Sequence, residues 1–316
     1  MMSLLTKPRL RQLAHRLENT VLSLGRQLRP LALFNLAVPR RTYQQQAAVS
    51  YGPAPRQQLD IYLPLAAGRE RPVVLFFYGG SWQSGRRQDY RFVGQALSAR
   101  GLVTVIPDYR LYPEVRFPDF IADGAAALAW VKAHIDALGG NPAQLFVMGH
   151  SAGAYIAAML ALDAKYLGQV GLVPQELGGF IGLAGPYDFL PLHQRQLIDI
   201  FGGRDGIPET QPINFVTAAA PAALLLHGAT DRIVAPENTR KLAARWRQAG
   251  RPVQEIIYPH YKHLTILLYL ASFLQEGEPV IRDVTAFIAA SGQGAQESAG
   301  RPRPAPVPPE KASPAY

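Results

Sequence analysis

The chain has 316 residues, 48% of them hydrophobic, and no cysteine. Disulfides, thiolate metal ligands and a cysteine nucleophile are therefore excluded, while the apolar content is enough for a large buried core. The net charge of +9 has the sign expected of a nucleic-acid partner, but residues 1–42 hold eight basic residues against Glu18 alone, which leaves the body, residues 43–290, within one charge of neutral and without an electrostatic footprint for nucleic acid.

In the first segment, residues 1–42, Leu10, Leu13, Leu17, Val21, Leu24, Leu28 and Leu31 recur at intervals of three and four, the spacing of one helical face. It makes a poor signal peptide, because its apolar stretch Leu31–Val38 lies far from the start, contains Asn35 and has no small-residue cleavage site close behind. Three readings stay open: helices packed on the body, a basic amphipathic helix giving weak contact with an anionic membrane surface, or disorder. A cytoplasmic protein, peripheral to a membrane under the second reading, is the corresponding expectation.

From Gln44 the pattern changes to short apolar or alternating runs. Strands are expected at 47–51, 58–62, 73–78, 103–107, 145–148, 180–183, 223–226 and 254–258, and helices at 90–100, 117–138, 152–162, 237–250, 263–275 and 279–290. Strand and helix alternate from Val73 onward, which predicts an α/β fold: a mostly parallel eight-stranded sheet with helices on both faces. The first two strands have no helix between them and suit an antiparallel edge. No apolar run reaches the length of a bilayer span. Residues 291–316, rich in Pro, Ala, Gly and Ser, read as a disordered tail.

Gly149-His-Ser-Ala-Gly153 lies between the strand at 145–148 and the helix at 152–162. A G-x-S-x-G pattern in that setting reads as a nucleophile elbow, with a structural Gly-Ser turn as the alternative; the flanking glycines of an elbow allow the sharp turn that lifts Ser151 above the sheet edge. A serine hydroxyl needs a base and a group to orient that base, in the chain order serine, acid, histidine for a doubly wound hydrolase. Asp231 is the best-placed acid, on a loop at the carboxyl end of the strand at 223–226; Asp188 competes with it, and Asp199 and Asp205 are placed less well. For the base, His263 lies where a loop meets an apolar helix, and His260 is the alternative. His150 and His227 read as residues packed beside the site. The Ala152 amide at the start of the helix, and amides of Tyr78-Gly-Gly-Ser-Trp82, suit an oxyanion hole.

These residues make the chain resemble the α/β-hydrolase superfamily, within it the esterase/lipase group that includes hormone-sensitive-lipase-like carboxylesterases, acetyl esterases and kynurenine formamidases. The resemblance runs from about Val49 to Ile288. It rests on Tyr78–Trp82, on Asp108–Pro118 with Asp123 following, on Gly149–Gly153, and on Gly228-Ala-Thr-Asp231 with His263. It implies Ser151 as nucleophile, His263 as base, Asp231 as its orienter, the amides of Gly80, Ser81 and Ala152 as oxyanion hole, and no cofactor. Many relatives carry histidine where this chain has Tyr78 and glycine where it has Ser81. Ser81 and Trp82 are expected to narrow the acyl pocket, and Trp82 and Tyr187 are the substrate-contact candidates; Tyr187, Phe189 and Tyr261 are candidates to line the pocket, although core or surface positions account for them equally well. Asp108, Arg110, Glu114 and Asp123 are expected to brace a loop. The implied activity is hydrolysis of small-molecule carboxylic esters. Formamide or amide cleavage by the same machinery, or a non-catalytic binding protein on the same fold, are the rival readings.

Overall fold

A computed structural model describes residues 34–203, 207–272, 274 and 279–299. Eight strands form one sheet: β1 (Tyr43–Ser50), β2 (Gln58–Pro64), β3 (Arg71–Phe77), β4 (Val103–Pro107), β5 (Gly140–His150), β6 (Gly179–Leu183), β7 (Ala223–Gly228) and β8 (Val253–Tyr258). Their order is β1-β2-β4-β3-β5-β6-β7-β8. β2 runs antiparallel to both β1 and β4, and every other pair is parallel. The helices are α1 (Arg91–Ser98), α2 (Asp119–His134), α3 (Ala152–Leu162), α4 (Ala164–Gly168), α5 (Arg195–Phe201), α6 (Glu237–Gln248), α7 (Thr265–Leu268) and α8 (Pro279–Ala299).

The central strands are continuous apolar runs, such as Val73–Phe77 and Leu145–Met148, because helices cover both faces and bury successive residues alike. Every residue of α3 is buried, and its alanines let it lie close to the sheet and to α2. The edge strand β1 is mostly polar and exposed. Between Gln46 and Val49 it bulges, with Ala48 at φ 58° and its amide donating to Asp60 Oδ1 on β2 at 2.9 Å.

All eight expected strands are present, and so is the antiparallel edge. Two helices differ. The helix expected at 263–275 is only Thr265–Leu268, followed by tight turns in which amides bond three residues back, as Leu270 does to Leu267 and Ala271 to Leu268. Residues 266–271 are all buried, so no single face of this segment holds it to an α-helical period. The last helix runs to Ala299, well into the stretch read as tail; the first proline after it is Pro302. Residues 300–316 lie outside the described residues. The short helices α4 and α5 carry too few periodic residues to be read from sequence.

Most of the basic first segment, residues 1–33, also lies outside the described residues. Its end, 34–42, forms two 3₁₀ turns. Phe34 packs edge-on against Phe92 of α1, and the Asn35 amide spans Gln88 O and Phe92 N. Among the described residues, no helix is long and apolar enough to cross a membrane.

Candidate active site

Ser151 occupies the turn between β5 and α3 with φ 55° and ψ −124°, a region that costs a non-glycine residue on the order of 1–3 kcal/mol. The surrounding chain holds it there. Its amide donates to Leu183 O of β6 at 2.9 Å, and its carbonyl accepts the first helical bond from Tyr155 at 3.1 Å. A Cβ on Gly149 would overlap the Gly153 carbonyl, so the turn closes only with glycine at that end.

The other two residues reach Ser151 from neighbouring loops. Asp231 follows β7, and His263 follows β8. Main-chain bonds stitch these loops together: Ala229 N to Tyr258 O at 2.8 Å and Thr230 N to Tyr261 O at 3.1 Å, with the Thr230 hydroxyl also donating to Tyr261 O at 2.8 Å. His263 Nε2 lies 2.9 Å from Ser151 Oγ, and His263 Nδ1 lies 2.8 Å from Asp231 Oδ2. Asp231 Oδ1 accepts the amides of Ile233 at 2.8 Å and Val234 at 3.0 Å. Burial pushes the Asp231 carboxyl up, but hydrogen bonds from His227 and His263 outweigh it and hold the group well below the usual carboxylate range. An ionised Asp231 accepts from Nδ1–H, which leaves Nε2 bare to receive the serine proton.

The rival residues stand elsewhere. His260 is exposed, Asp188 pairs with Lys241 at 2.6 Å, and Asp199 approaches Tyr112 and Arg116. Asp205 lies outside the described residues.

The loop after β3 presents its amides by a simple device. Three successive carbonyls are occupied: Tyr78 O accepts the Tyr109 hydroxyl at 2.8 Å and Gly79 O the Tyr90 hydroxyl at 3.3 Å, both from the body, and Gly80 O accepts the amides of Gln83 and Ser84 in the loop's own turn. In a planar trans peptide the next N–H points the opposite way, so the Gly80 amide turns away from the body and the Ser81 amide away from that turn. Gly80 (φ 135°), Ser81 (φ 52°) and Trp82 (φ 59°) all adopt positive φ to make this turn. The N–H groups of Gly80, Ser81 and Ala152 have no protein acceptor among the described residues.

Tyr78 anchors that loop. Its ring is stacked between Tyr90 and Tyr109, and its hydroxyl lies 2.6 Å from Asp108 Oδ1 and 2.9 Å from Arg56 Nη2. Arg87 ties Asp108 to Asp60 of β2. Arg110 pairs with Asp123 at 2.7 Å, so three of the four residues expected to brace a loop make such contacts. The Tyr78 and Arg87 arms of this network were not read from the sequence.

Trp82 is boxed by Phe120, Tyr155, Phe189 and Phe201, and its buried indole N–H has no acceptor among the described residues. Tyr187 is fully buried, edge-on to Phe180, with its hydroxyl close to Gly182 and Gly185. Two further histidines adjoin the site. His150 Nε2 donates to His263 O at 2.8 Å, and burial followed by repulsion from His263 pushes its pKa down to about 3. His227 is fully buried against Asp231.

The BD-FAE family model matches residues 59–246. Among curated proteins, a probable isoprenylcysteine alpha-carbonyl methylesterase of Oryza sativa subsp. japonica is 30% identical over 79% of this chain and 65% of its own length. Esterase LipC of Mycobacterium tuberculosis is 30% identical over 68% of this chain and 58% of its own. The chain thus spans between about half and two thirds of the length of the curated relatives it matches. Among solved structures, esterase B from Lactobacillus Rhamnosis superposes with a TM-score of 0.74 at 18% identity, covering 92% of this chain and 99% of that one. A truncated carbohydrate esterase from gut microbiota gives 0.69 at 20% identity, covering 81% and 99%. Their likeness is one of fold, the α/β-hydrolase fold. With the family model spanning more than half of its length, this chain belongs to the BD-FAE family, in the esterase group of the α/β-hydrolases.

Proposed function

We propose that this chain is a serine carboxylesterase that hydrolyses small-molecule carboxylic esters through an acyl-enzyme and needs no cofactor. The observation that carries this reading is the unbroken hydrogen-bonded path from Ser151 through His263 to Asp231. His263 Nε2 takes the hydroxyl proton as Ser151 Oγ attacks the acyl carbon, and Asp231 steadies the imidazolium that forms. The amides of Gly80, Ser81 and Ala152 receive the charge that develops on the carbonyl oxygen. His263 then gives its proton to the leaving alcohol, and water activated by the same imidazole releases the acid. Trp82, held rigid by its aromatic box, walls the acyl side. Relatives named as esterases and methylesterases support the ester as substrate class.

Replacing Ser151 with alanine tests this. Turnover of short p-nitrophenyl esters should fall by about 10⁶-fold with an unchanged circular dichroism spectrum. Ordinary turnover by the folded variant would overturn the assignment, as would failure of the wild type to label with a fluorophosphonate probe. Butyrate esters should be cleaved faster than N-formylkynurenine; the reverse order would assign the site to C–N bonds.

The charge concentrated in residues 1–42 supports weak contact with anionic membrane surfaces. Sedimentation with phosphatidylserine vesicles should carry the full chain down at low salt and leave a chain lacking those residues in solution. Equal sedimentation of both would reject the contact.

A further inference from the structure

Asp231 Oδ2 receives two imidazoles. His263 approaches from the β8–α7 loop at 2.8 Å, and His227, on β7, approaches through Nε2 at 3.1 Å. His227 Nε2 also lies 3.0 Å from Val234 O. A carboxylate and a carbonyl can only accept, so Nε2 carries the proton and shares it between them. On the other side of the ring, Nδ1 lies 2.7 Å from the Thr239 hydroxyl of α6. With the proton on Nε2, the Nδ1 of a neutral ring is bare and accepts from that hydroxyl. His227 and Thr239 are both fully buried, so no water competes for these bonds.

The two histidines thus hold opposite tautomers around one oxygen. Ser151 donates to His263 Nε2, His263 Nδ1–H donates to Oδ2, His227 Nε2–H donates to the same Oδ2, and Thr239 donates to His227 Nδ1. With the Ile233 and Val234 amides on Oδ1, the carboxylate has four donors. A bond to Oδ1 would only have anchored the side chain. A bond to Oδ2 competes with His263 for the same electron density.

We infer that His227, backed by Thr239, is a positioning residue of the proposed hydrolase. It aims Oδ2 at His263 and shares with that ring the negative charge of the oxygen. This rests on the serine-hydrolase reading above. The other titratable and charged groups nearby are few. His150, at the end of β5, is held neutral and bonds to the main chain of His263. Arg232 and Glu237, on the loop between β7 and α6 and at the start of α6, are exposed, and Asp188 is paired with Lys241.

The contrast between two amides tests the inference. In His227→Gln the side-chain amide nitrogen takes the place of Nε2 and reaches Asp231. In His227→Asn it takes the place of Nδ1 and does not. In His227→Asn, kcat for p-nitrophenyl acetate should fall about tenfold while KM stays within about twofold, and the acid limb of kcat/KM should move up by about half to one pH unit. His227→Gln should restore most of both. Histidine nitrogen NMR reads the same effect without turnover: His263 should titrate at higher pH in His227→Asn. In the wild type, which needs no variant to fold, His227 should be protonated at Nε2 and His263 at Nδ1. An unshifted acid limb and unshifted His263 titration in a folded His227→Asn would overturn the inference, as would Nδ1 protonation of His227 in the wild type. Opposite tautomers in a wild type that neither labels with fluorophosphonate nor cleaves esters would support the positioning arm and overturn the hydrolase reading alone.

Discussion

Gly153 lies against the end of β3, where a methyl group would overlap the Phe77 carbonyl and stand 2.5 Å from Tyr78 O. The first turn of α3 therefore docks directly onto the strand that leads into the Tyr78–Trp82 loop, and both sides of the candidate site share this contact. Gly153→Ala has no flexible side chain to displace and must push the helix start away. It should cost about 1–3 kcal/mol in urea unfolding and slow fluorophosphonate labelling by about 10²-fold. Wild-type labelling by this variant would separate the helix start from the chemistry.

Tyr78→Phe keeps the stacked ring and removes the hydroxyl between Asp108 and Arg56. Asp108 still has its bonds to Arg87, so the stability loss should be only about 1–2 kcal/mol. In the proposed mechanism the loop's amides act on the transition state, so kcat should fall about tenfold with little change in KM. A raised KM at constant kcat would assign the loop to substrate binding instead.

His150 predicts an acid-side loss of stability that starts well above the carboxylate range. Its folded pKa of about 3 lies below the ordinary value of 6.5, so between them the unfolded chain takes up a proton that the folded chain excludes. Stability is complete above pH 6.5 and declines as pH falls toward 3, by at most about 1.4 kcal/mol per pH unit. His150→Gln keeps a donor for His263 O and cannot titrate. Its unfolding free energy should decline more gently from pH 6.5 to 4. A slope equal to that of the wild type would count against a neutral His150.

Trp82→Leu opens the aromatic box on the side proposed for the acyl group. It should cost about 2–4 kcal/mol for the cavity and raise the ratio of kcat/KM for octanoate over acetate esters about tenfold. An unchanged ratio would place the indole outside the acyl pocket.

Strand positions were legible because burial on both faces writes uniform apolar runs such as Val73–Phe77. The elbow was legible because two glycines bracket Ser151 between a strand and a helix. The segment after His263 was misread because burial on every side, as at Ile266–Ala271, leaves no periodicity to follow. The arms of the site made by Tyr78 and His227 were hidden for another reason. Each acts through a partner distant in sequence or on another element, Asp108 in one case and Thr239 in the other. A tyrosine before Gly-Gly, or a histidine before glycine at a strand end, is the only local trace they leave.

The bulge in β1 has a consequence at the rim of the sheet. Ala48 leaves the straight path of the strand, and its amide is occupied by Asp60. An unpaired straight rim invites another copy to add its own strand and extend the ladder without limit. Here an approaching chain meets a bent rail with one donor already taken, so ribbon-like growth from this border is disfavoured by the strand's own geometry.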